Sequence, residues 1–80
     1  MTVEEIEKRL IYEVTKYVDT ARRLRQAALD EADVRRSSTN MVEMLTVAGE
    51  RARLESLACH AEGWLFTLCD DLEKARKEGA

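Results

Sequence analysis

The stretch "SSTN", residues 37–40, decides the fold, because it is the one polar, turn-forming cluster in an 80-residue chain that contains no proline. Glycine occurs only at positions 49, 63 and 79, so little else interrupts a helix. Upstream of the cluster, Val3, Ile6, Leu10, Val14, Tyr17, Ala21, Leu24 and Ala28 recur at steps of three and four residues, a period that fits one face of an α-helix and no strand. Thr2 followed by Glu5 is a capping-box pattern, in which each side chain satisfies a backbone N–H at the helix start. Arg35 and Arg36 suit the negative end of that helix. Downstream, Asn40 with Glu43 repeats the capping logic, and Gly79 is a stop signal.

The reading is therefore all-α: helix 1 over about residues 3–36, a turn at 37–40, and helix 2 over about 41–78, each roughly 50 Å long. A short link between long helices makes them antiparallel neighbours, so residues 1–80 form a single helical-hairpin domain. Gly49 is the candidate kink in helix 2, and "DEADV" at 30–34 the candidate break in helix 1.

Helix 2 is apolar on two sides. At 100° per residue, Val47, Leu54, Leu57, Ala58, Ala61, Trp64, Leu65, Leu68 and Leu72 fall within about 60° of one direction and are expected to meet helix 1. Roughly opposite lie Met41, Leu45, Ala48, Ala52, Cys59 and Phe66, of which Leu45, Ala52, Cys59 and Phe66 repeat every seven residues. A seven-residue repeat is a coiled-coil-like seam, here interrupted by Glu55 and Glu62. A chain of this size buries only about 60 to 65% of its unfolded surface, which leaves a lone hairpin marginal. The expected cover is a second copy, giving a homo-oligomeric helical bundle, a dimer or larger. A helix of another protein is the alternative.

Composition narrows the function. A net charge of −3 disfavours bulk nucleic-acid binding, which depends on a basic surface. No apolar run approaches the about 20 residues that span a bilayer, and "MTVEEIEKRL" has no signal-peptide core, so a soluble cytoplasmic protein is expected. Cys59 and Cys69 lie about 15 Å apart on one helix, too far for a disulfide, and read as reduced thiols.

His60 has no companions at metal-ligand spacing: Cys59 projects about 100° away, and Leu57 stands where a Glu-x-x-His pattern needs a carboxylate. No metal, no cofactor and no catalytic set are expected, since no glycine-rich phosphate loop is present and the Cys–His pair lacks an orienting third group. The arginines carry more. If antiparallel partners have numbers adding up to about 77, Arg22, Arg23 and Arg25 lie level with Arg51 and Arg53. Arg25 and Arg51 project onto one flank with Ile11, Val18, Leu29, Met44, Ala58 and Cys69; Arg23 and Arg53 onto the other, with Tyr12, Val42 and His60.

Such a band of guanidiniums suits phosphate or carboxylate, and Tyr12 is the aromatic ring left free to stack beside it. Asp19, Gln26, Glu50 and Glu55 compete for the same arginines as surface partners. The expected function is non-enzymatic binding, as an adaptor or inhibitor working through an oligomeric helical interface. The alternative is sequestration of a phosphate-bearing small molecule, such as a nucleotide, by arginines at that interface, a role suited to a phage or defence setting.

Overall fold

The computed structural model describes residues 2–79. Two helices, α1 (Val3–Ser37) and α2 (Met41–Gly79), pair along their length as a hairpin. The rod extends 61 Å and is only 14 Å across in either other direction. Neither "DEADV" nor Gly49 breaks its helix. The carboxylates of "DEADV" find local partners: Arg35 pairs with Glu31 at 2.8 Å and Arg36 with Asp33 at 2.5 Å.

Side chains, not glycine, close the turn. The Ser38 N–H donates to the Val34 carbonyl at 2.8 Å and ends α1. The Asn40 side-chain oxygen then accepts from the N–H groups of Val42 and Glu43 at 3.0 and 3.4 Å, satisfying two of the free donors that open α2. Ser38 locks the two ends together, its hydroxyl accepting from the Asn40 N–H and donating to the Glu43 carboxylate, both at 3.0 Å. At the other end, Thr2 accepts from the Glu5 N–H at 3.2 Å as expected. The Glu5 carboxylate, however, takes the Thr2 hydroxyl at 3.2 Å instead of reaching a backbone N–H.

The contact between the helices is a narrow coiled-coil seam. On α1 it runs through Val3, Ile6, Leu10, Glu13, Tyr17, Thr20, Leu24, Ala27, Glu31 and Val34, and on α2 through Met44, Val47, Arg51, Leu54, Ala58, Ala61, Leu65, Leu68, Leu72 and Ala75. Every one of these residues is at least half-buried, and each series alternates steps of three and four without a slip. Val14, Ala28, Leu57 and Trp64, which the sequence assigns to the inner faces, are exposed. The reason is width: one partner helix covers a two-in-seven stripe, whereas the inner faces read from sequence span about 120°. The core is correspondingly thin, with Ile6, Ala27, Leu54, Ala58 and Leu68 as its buried apolar residues.

Candidate functional site

Arginines of the expected band meet carboxylates of their own chain. Arg51 reaches across the seam to hydrogen-bond Glu31, and further along Tyr17 bonds Glu62; long side chains lean toward the N-terminus of their own helix, so such partners are offset along the axis.

Three of the five guanidiniums, those of Arg23, Arg51 and Arg53, are already occupied. Arg51 holds Glu31, which is buried, and also Glu55 at 2.6 Å; hydrogen bonding to Glu31 first, then its charge and that of Glu55, pushes the Arg51 pKa above its ordinary value. Arg53 binds Glu50 through two nitrogens at 2.7 and 3.2 Å, which raises the arginine and holds the Glu50 carboxyl below its ordinary value. Arg23 pairs with Asp19 at 3.2 Å. Gln26 takes no part, bonding Asp30 at 2.9 Å instead. Among the described residues, only Arg22 and Arg25 of the five make no ion pair. Tyr12 is exposed, but the Lys16 ammonium sits 5.3 Å from its ring centre.

The two flanks of the seam differ in kind. One is marked by the Glu7–Arg76 ion pair, 3.1 Å across the helices near the open end, and by a hollow lined by Ala28, Glu31, Ala32, Arg35 and Arg51 near the turn. Stepping by sevens from these residues adds Val14 and Ala21 on α1, and Met41, Ala48, Glu55, Glu62 and Cys69 on α2. The next row outward is Ile11, Val18, Arg25 and Ala32 facing Leu45, Ala52, Cys59 and Phe66. Both helices thus turn a mainly apolar shoulder to the same side. Of the stripe read from α2 alone, Leu45 is 65% and Phe66 71% exposed, Met41, Ala52 and Cys59 are exposed, and Ala48 is half-buried. The α1 half of this surface escapes a reading that assigns Val14, Ala21 and Ala28 to the core; the signal was the second run of apolar residues at 11, 14, 18, 21, 28 and 32.

A polar interaction fixes this flank near its middle. The Tyr17 hydroxyl donates to the Glu62 carboxylate at 2.8 Å, and that hydrogen bond, followed by the negative charge of Glu62, raises the Tyr17 pKa above 10.0. Losing the proton would both remove the donor and set two negative groups together.

The other flank holds an open groove of about 450 Å³ lined by Arg9, Glu13, Lys16, Thr20, Leu57, His60, Ala61 and Trp64. Trp64 was expected in the core; instead it stands 48% exposed beside His60. Arg9 is engaged by Glu13 at 3.6 Å. No three His, Cys, Asp or Glu side chains among the described residues converge as a metal site, both cysteines are free thiols, and no helix is long and apolar enough to cross a membrane. The chain matches no protein-family model, no curated protein and no solved structure.

Proposed function

We propose that this chain is a non-enzymatic helical binding protein of adaptor or inhibitor type, active as an assembly of copies joined along the apolar flank. One observation carries the reading: both helices present apolar side chains to the same side of the rod, where the chain itself covers neither Leu45 nor Phe66. Isolated exposed apolar residues are ordinary, but a continuous exposed patch of several hundred Å² marks an interaction surface. Hiding about 400 Å² of it gives a gross gain of about 10 kcal/mol, comparable with the cost of association. A thin seam leaves each hairpin with much to gain from such cover.

Molar mass in solution, followed from micromolar to millimolar chain, tests this. The expected result is a multiple of the 9.2 kDa chain; a mass that stays at one chain throughout removes the reading.

A second reading, capture of a phosphate-bearing small molecule, is favoured by the groove in which Arg9, Lys16 and His60 border Trp64. An indole face beside cations suits a nucleobase carrying phosphate. A nucleotide present at about 100 times its dissociation constant would add about 2.7 kcal/mol of stability. Absence of any thermal shift at millimolar nucleotide rejects it.

A further inference from the structure

The groove beside Trp64 holds a third kind of chemical group besides its cations and its indole, the Glu13 carboxylate. The hollow exists because the seam is thinly filled there. Thr20 and Ala61 are small seam residues, while Leu57 and Trp64, 47% and 48% exposed, stand at the rim instead of closing over them. Its volume of about 450 Å³ lies in the range that takes a small organic molecule. Glu13 belongs to the seam, its side chain only 12% exposed, and its ion pair with the Arg9 Nε spans 3.6 Å, beyond hydrogen-bond length. Its oxygens therefore stay open to the groove, for no buried side-chain oxygen among the described residues lacks a partner. Lys16 sits 5.3 Å from the Tyr12 ring centre and makes no ion pair among the described residues.

We infer that the groove takes a guanine mononucleotide, with the base against the Trp64 indole, its Watson–Crick edge on Glu13 and its phosphate on Lys16 and Arg9; this deepens the nucleotide reading above and rests on it. An ionised carboxylate only accepts hydrogen bonds. Guanine is the common base that offers it two adjacent donors, N1–H and the N2 amino group. Adenine and cytosine set one amino donor beside an acceptor nitrogen, and uracil sets its single N–H between two carbonyls, so each brings a lone pair against the carboxylate and leaves acceptors unpaired. Every base has a face to stack, so the indole supplies affinity without choice and Glu13 supplies the choice. The ribose carries the phosphate away from Glu13. Arg9 turns its Nε to that carboxylate, which leaves its terminal nitrogens for the phosphate. A chain of net charge −3 suits a mononucleotide better than a strand of many phosphates.

Calorimetric titration of the full chain with the 5′-monophosphates of guanosine, inosine, adenosine and cytidine tests this. The guanosine nucleotide is expected to bind at least about tenfold more tightly than each of the others. Inosine, which lacks only the N2 amino group, isolates one of the two hydrogen bonds to Glu13. Glu13→Gln is expected to bring the guanosine and adenosine nucleotides within about threefold of each other, whereas Trp64→Ala weakens all four by at least about tenfold. Circular dichroism checks that both variants keep their helicity; if Glu13→Gln does not, the ranking of the four nucleotides on the wild type decides alone. Adenosine monophosphate binding as well as the guanosine nucleotide, or a guanine preference that survives in a folded Glu13→Gln, overturns the assignment to guanine while the nucleotide reading stands. A single-stranded trinucleotide with a central guanine that binds more tightly than the mononucleotide also overturns it, in favour of a strand. Absence of binding by all four at millimolar concentration ends the nucleotide reading itself.

Discussion

The two flanks of one seam have opposite surfaces although they lie on the same pair of helices and within 14 Å of each other. Beside Glu7 and Arg76 the shoulder positions include Val14, Ala21, Ala28, Met41, Ala48 and Cys69, small or apolar residues where a two-stranded coil in water usually carries charge, with Arg35, Glu55 and Glu62 as the charged exceptions. Beside Arg9 and Trp64 the equivalent positions hold Arg9, Lys16, Arg23, Asp30, Glu43, Glu50 and Asp71, with Leu57 and Trp64 as apolar exceptions. The difference teaches that in so thin a molecule the seam supplies the fold and the shoulder residues supply the function. A single step around the helix moves a residue from one task to the other.

The largest expected effect separates the flanks directly. Phe66→Ala removes an aromatic contact from the apolar flank of each copy, about 1.5 to 3 kcal/mol apiece, and should weaken the association of two copies by about 100-fold or more. Trp64→Ala, the larger truncation by volume but on the opposite flank, should leave the dimerisation constant within about threefold. Sedimentation equilibrium of both variants reads this contrast, and equal losses would erase the distinction between the flanks.

A smaller effect lies on the outer surface, away from both. A Cβ added at Gly49 or Gly63 meets no atom within 4 Å, and neither glycine has a positive φ. Gly49→Ala and Gly63→Ala should each raise stability by about 0.5 to 1 kcal/mol through helix propensity. Denaturant melts should show these gains with dimerisation unchanged. A loss of association in Gly49→Ala would mean that the interface reaches further round α2 than Ala48 and Ala52.

The smallest effect is a titration within the apolar flank. Tyr17 is held above its ordinary value by its bond to Glu62, so its contribution to stability is complete below about pH 10 and is lost as pH rises through the raised folded value. Alkaline absorbance titration of the folded chain should show one phenol ionising late, and Tyr17→Phe should remove that phase. Glu62→Gln should bring it earlier. A late phase that survives Tyr17→Phe would belong elsewhere.

Much of the hairpin was legible in the sequence because its signals are local. The cap at Thr2, the cap at Asn40, the cluster at 37–40 and the absence of proline act within a few residues of themselves, and the helices run 3–37 and 41–79 where about 3–36 and 41–78 were expected. The ion pairing across the seam was not legible, because it joins residues twenty apart, Glu31 with Arg51. A search for apolar periodicity passes over Glu13, Glu31 and Arg51, although long side chains bury their stems in a seam while pairing their charged ends. That omission left Arg51 counted as free, and it widened the presumed core to include Val14, Ala28, Leu57 and Trp64. On the candidate interface, the α2 half was visible as a heptad of Leu45, Ala52, Cys59 and Phe66, while the α1 half was hidden by its assignment to the inside.

The shape of the molecule has a consequence for how it tumbles. In a rod 61 Å long and 14 Å thick built from two helices, nearly every amide N–H vector points along the long axis. Nuclear spin relaxation of those amides therefore reports slow end-over-end rotation and mimics a heavier protein, while Ser38, Thr39 and Asn40 also sense fast spinning about the axis. A lengthwise pairing of two rods thickens the particle without extending it. The gap between helical and linker amides would then narrow as the concentration rises, giving a residue-by-residue view of association.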